Sequence, residues 1–94
     1  MSGGREGDKD VIVRMWEVRA ERGRTAELVS WVCEVALPEV EHSPLHISSE
    51  VFSSAEERVV VISRWRAEPL SLPEPPLRLV ARPPHQWDFT PVDR

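Results

Sequence analysis

The chain has 94 residues, 40% of them hydrophobic and 30% charged, with a formal net charge of −4. This describes one small globular domain and argues against a nucleic-acid or anionic-membrane surface, which needs a clustered basic face. Cys33 is the single cysteine, so neither an internal disulfide nor a cysteine-based zinc cluster is available, and no apolar run approaches the roughly 18 residues of a membrane span.

Residues 1–10 are glycine-rich and charged, with nothing to bury, and are expected to form a disordered tail. They contain no apolar stretch of the kind a signal peptide uses, so a cytoplasmic location is the default expectation. The folded domain is expected to occupy 11–94. Its first strand runs from Val11 to Ala20, with Val11, Val13 and Met15 on one face and Ile12, Arg14, Trp16 and Val18 on the other. Glu21 to Arg24 forms the turn that follows.

Thr25 is the expected N-cap of a helix, since its hydroxyl can accept from a free first-turn amide. Leu28, Trp31, Val32 and Val35 then recur at spacings of three and four, a helical stripe. Cys33 lies within this pattern and is expected to be buried as a small hydrophobe. Pro38 lacks an amide hydrogen, so the regular helix should loosen there, with a last turn reaching Val40.

The second strand alternates, with Leu45, Ile47 and Val51 on one side and His46, Ser48 and Glu50 on the other. Residues 53–57 make a hairpin connection. Val59, Val60, Val61 and Ile62 are apolar in succession, as in a strand covered on both faces. Six of the nine prolines then fall between Glu68 and His85 and exclude a long helix or interior strand. Pro76 can open a short helix through Ala81. Gln86 to Val92 reads as the last strand, with Trp87 and Phe89 opposite Asp88 and Thr90.

The order is strand, helix, strand, strand, short helix, strand. That is the α+β, ferredoxin-like βαββαβ arrangement: a four-stranded antiparallel sheet with both helices on one face, the second short and proline-bounded. No element remains to cover the other face. The economical cover is a second copy, so the reading is a homodimer through the sheet face that carries Val11, Val13, Met15, Val60 and Ile62.

The first strand and helix, the turn Ser43-Pro44-Leu45, and the hairpin ending in Val59 to Trp65 together resemble the dimeric α/β-barrel superfamily. Within it, the likeness is to antibiotic-biosynthesis-monooxygenase-like domains. It covers Val11 to about Arg66, and Trp65 at the strand end is its most specific mark. The resemblance implies two sheets packed into a barrel and a pocket between sheet and helices in each subunit. Members include cofactor-independent quinone-forming monooxygenases, haem-degrading enzymes and proteins with no shown activity. The motif departs at Val61, where such oxygenases carry an Asn four residues before the Trp. Trp16 lies near the first-strand Asn position of haem-degrading members, and their second-helix His has no counterpart.

The candidate site is a ligand pocket formed by Arg14, Trp16, Trp31, Ser63 and Trp65, suited to a small aromatic ligand: guanidinium for an oxygen, indoles for stacking. The alternative is that Arg14 pairs with a Glu at the sheet edge and the tryptophans are core. His85, at the end of the proline-rich segment, is the candidate catalytic base. His42 and His46 are separated by the Pro44 turn and are not read as metal ligands. No cofactor is expected. Two functions follow: a non-catalytic accessory or small-molecule-binding module, or a cofactor-independent monooxygenase acting on a polycyclic phenol or quinol.

Overall fold

A computed structural model describes residues 10–94; the expected tail lies almost wholly outside them. The order of elements is β1 (Ile12–Arg19), a helix α1 over 25–41, β2 (His46–Ser53), β3 (Arg58–Trp65), a 3-10 turn (Leu77–Leu79) and β4 (His85–Phe89). The strands form one antiparallel sheet in the order β2-β3-β1-β4. This is the ferredoxin-like α+β arrangement. Its second helix is reduced to the single 3-10 turn, because the chain turns extended at Val80, bridges Ala20 there, and donates the Ala81 amide to the Arg19 carbonyl at 2.9 Å.

Alternation along the two central strands sorts the sheet into two faces. Trp16 and Val18 of β1 and Val59, Val61, Ser63 and Trp65 of β3 are buried beneath the helix. Cross-strand pairing puts Ile12 opposite Trp65, Trp16 opposite Val61, and Val18 opposite Val59. Trp65 is only 1% exposed, and full burial of a side chain of that size contributes on the order of 2–3 kcal/mol.

The helix is continuous but not uniform. Thr25–Trp31 and Leu37–Glu41 are α-helical, and Val32–Ala36 between them is a π-turn closed by the Leu37 amide donating to the Val32 carbonyl. Pro38 lies just beyond. It has no amide to offer the carbonyl one turn back, and the ladder widens by one residue on its N-terminal side. The extra residue rotates the apolar stripe. Leu28 and Val32 are buried as expected, but Ala36, Leu37 and Val40 continue the stripe, and Val35 is 45% exposed. Cys33 is also exposed rather than buried, since it lies about 100° round the helix from the buried Val32. Thr25 begins the first turn and does not cap it; Arg24 precedes the helix without a side-chain cap, and its carbonyl accepts from Leu28 at 3.0 Å.

Two left-handed residues close the connections. Gly23 (φ 76) allows the turn before the helix, in which the Arg24 amide donates to Glu21 at 2.9 Å. Glu57 (φ 68) ends the β2–β3 hairpin, a conformation that costs a side-chain-bearing residue roughly 1–2 kcal/mol. It is held there from both ends. Its carbonyl accepts from Ala20 at 2.7 Å and its carboxylate from the Gly23 amide at 3.1 Å.

β2 departs from simple alternation. Ile47 is an extra residue between His46, opposite Trp65, and Ser48, opposite Arg64. This bulge moves His46 to the helix side together with Ser49 and Val51, and leaves Phe52 half exposed on the other face. That other face carries Val13, Met15, Val60 and Ile62 at its centre, with Phe52 at one edge and Trp87 and Phe89 at the other. No described element covers it. Glu17 lies on it, largely buried, with its carboxylate 3.5 Å from the Arg58 guanidinium.

Candidate functional site

The buried, helix-side centre of the sheet is mostly apolar, but one polar row crosses it. Asp88 of β4 is paired with Arg14 of β1, Arg14 with Ser63 of β3, and Ser63 with Ser49 of β2. The four residues therefore form a polar row across all four strands. His46 ends the row, its Nε2 2.8 Å from the Ser49 hydroxyl. A polar line through a packing face lowers burial energy and is the kind of local inconsistency that marks a site.

Arg14 is the centre of it. Its side chain is only 11% exposed, while that of Asp88 is 42% exposed. Nε and Nη2 donate to the two Asp88 carboxylate oxygens at 2.7 and 2.9 Å, a bidentate pair. Hydrogen bonding from Arg14 lowers the Asp88 pKa below its ordinary value of 3.8, against the smaller opposing effect of burial. Nη1 is buried and has no partner among the described residues. An unpaired buried donor on a charged group costs on the order of 1–3 kcal/mol or more.

Beside Arg14 is a narrow cavity of about 10 Å³, room for about one water-sized group. Trp16, Val61, Ser63 and Trp65 form its sheet wall, with Gln86 beside them. Leu37 and Val40, brought round by the π-turn, form the helix wall, and Leu70 and Leu72 of the proline-rich segment cover it. The Trp65 Nε1 donates to the Ser63 hydroxyl at 2.9 Å, so the Ser63 proton is left to be donated elsewhere. A wider cleft of about 280 Å³ shares Trp16, Leu72 and Gln86 with this cavity. Pro73, Glu74, Pro83 and Pro84 line its outer part.

Of the expected site residues, Arg14, Trp16, Ser63 and Trp65 come together around the inner cavity. Trp31 does not line it. It precedes the π-turn, is half buried, and packs against the outside of the core. Arg14 is paired with an acid, but with Asp88 and not a Glu, and both indoles are also core residues. His85 borders the wider cleft, yet its ring stacks on Trp87 at 6.1 Å and 17°. His85 and Trp87 stand opposite Glu17 and Met15, so the imidazole lies on the sheet face away from Arg14. The strand begins one residue earlier than its sequence suggests, and that alternation puts Gln86 on the cavity side. Among the described residues, no His, Asp, Glu or Cys lines the inner cavity.

Asp88, Gln86 and Ser49 did not emerge from sequence reasoning as site residues. Their alternation was legible, but which residues of β1 and β3 they oppose depends on register. The described residues contain no group of three or more potential metal ligands; His42 Nδ1 lies 3.5 Å from the Pro38 carbonyl and His46 Nε2 2.8 Å from the Ser49 hydroxyl. No helix among the described residues is long and apolar enough to cross a membrane.

These features define a ferredoxin-like α+β domain with its cavity between the sheet and a single long helix. Two solved structures share it. One is a monooxygenase from the gene ActVA-Orf6 of Streptomyces coelicolor, in complex with nanaomycin D, with a TM-score of 0.68 and 16% identity over 92% of this chain and 91% of that one. The other is Rv0793 from Mycobacterium tuberculosis, with a TM-score of 0.65 and 14% identity over 89% of this chain and 97% of that one. At these identities the likeness establishes the fold. No family model and no curated protein matches the chain.

Proposed function

We propose that the chain is a homodimeric small-molecule-binding module whose ligand lays an aromatic body in the wider cleft and sends one oxygen into the inner cavity. The observation that carries this reading is the buried Nη1 of Arg14, a charged donor without a partner among the described residues, on a residue that lines a space about one oxygen wide. Leu72 and the prolines supply apolar walls for a flat ring, and Trp16 is common to both spaces. The uncovered sheet face, with Met15, Val60, Ile62 and Trp87, supports pairing with a second copy.

Titration with 1,4-naphthoquinone, followed through tryptophan fluorescence, tests the binding. Saturable quenching is expected, weakened at least tenfold by Arg14→Met, which removes a hydrogen bond from a charged donor. Quenching that is linear and unaffected by the substitution contradicts it.

The second reading is a cofactor-independent monooxygenase acting on a polycyclic phenol or quinol. The shared fold of a monooxygenase with a bound ligand favours it. Val61 at the position of the oxygenase Asn, and an inner cavity with no group to accept a proton, weigh against it. Oxygen uptake with a dihydroxynaphthalene, above that of buffer and lost in Arg14→Met, would establish turnover.

A further inference from the structure

The Arg14–Asp88 pair also bears on which oxygen the cavity accepts, and this step rests on the reading of that cavity as a ligand site. Asp88 engages the Nε and Nη2 edge of the guanidinium, fixing its plane and leaving Nη1 as a buried donor with no partner among the described residues. The carboxylate also cancels the positive charge. Trp16, Ser63, Trp65 and Gln86, which line the cavity with Arg14, carry none. Glu74 adds a negative charge to the wider cleft. An incoming oxyanion would therefore find N–H donors but no uncompensated cation, and would lose its hydration beside two carboxylates. A neutral carbonyl oxygen needs only the donors.

We propose that Asp88 is the positioning and specificity-determining residue of this site: it orients Arg14 Nη1 and, by neutralising the guanidinium, makes the site select a neutral carbonyl oxygen on an aromatic ligand over a carboxylate of the same shape. Asp88 stays ionised throughout the neutral range, since the Arg14 hydrogen bond holds its pKa down. The selection therefore operates at neutral pH.

Two ligands of nearly equal shape test this, 1-acetonaphthone and 1-naphthoate, each titrated calorimetrically at pH 7 into the unaltered chain and into Asp88→Asn. The ketone is expected to bind the unaltered chain about tenfold more tightly. Asp88→Asn removes the charge but keeps an acceptor, and should move the preference toward naphthoate by about tenfold or more. Asp88→Ser gives the same direction of change if Asn distorts β4. Equal weakening of both ligands by these substitutions would assign Asp88 a purely structural role and overturn the proposal. Tighter binding of naphthoate by the unaltered chain would overturn it too, leaving the ligand site standing. Failure of both ligands to bind the unaltered chain would remove the site and the selection together, and failure of the ketone alone would overturn the selection.

Discussion

The imidazole of His46 meets the indole of Trp65 edge-on, with ring centroids 5.1 Å apart and planes at 79°. The contact exists because Ile47 is bulged out of the β2–β3 ladder, which turns His46 toward the helix side. Edge-to-face pairs of this kind contribute about 0.5–1.5 kcal/mol beyond area burial. His46→Ala is expected to lower unfolding stability by about that amount, and His46→Phe by less, since it keeps an aromatic ring against Trp65. Urea unfolding of the three proteins decides between this and a histidine that merely sits at the surface.

The π-turn makes a sharper prediction. Leu28 is fully buried, whereas Val35 has been rotated outward by the extra residue near Pro38. Leu28→Ala should cost about 2–5 kcal/mol, the range for truncating a core leucine. Val35→Ala should stay within about 0.5 kcal/mol of the unaltered chain. A regular α-helix would bury Val35 and make both substitutions costly.

Asp88 contributes a defined pH dependence. Its folded pKa lies below the ordinary value of 3.8, so the unfolded chain takes up its proton first as pH falls. The resulting stability is complete above the unfolded pKa and is lost as pH drops from about 4 through the lower folded value. The stability difference between the unaltered chain and Asp88→Asn should accordingly shrink on acidification below about pH 4. Denaturation midpoints measured from pH 6 downward provide the check.

The uncovered sheet face has a consequence for assembly. Ile62 stands at its centre, opposite Met15 on β1 and Glu50 on β2. If a second copy covers this face, Ile62→Glu buries an unpaired carboxylate and should weaken the dimer by about a hundredfold or more. Sedimentation equilibrium should find a dimer for the unaltered chain and a monomer for the variant. A single subunit for both at micromolar concentration would refute the face-to-face pairing.

Sequence by itself determined the order of elements and which strands are central. Period-two alternation in β1 and β4 and the unbroken valines of β3 are local properties, and each strand followed them. Those patterns also placed Arg14, Trp16, Ser63 and Trp65 on one side, because alternation acts strand by strand. The fold was legible because apolar residues must leave water whichever partners they find.

Tertiary structure alone decided the matters of register and phase. The Ile47 bulge turned His46 inward, the π-turn exchanged Val35 for Leu37 and Val40, and the pairing of β4 with β1 set Gln86 beside Trp16 at the cavity. Above all, it set Asp88 beside Arg14, 74 residues away along the chain. A one-residue shift reverses the face of every side chain that follows, and no local pattern encodes which strand position will stand opposite another.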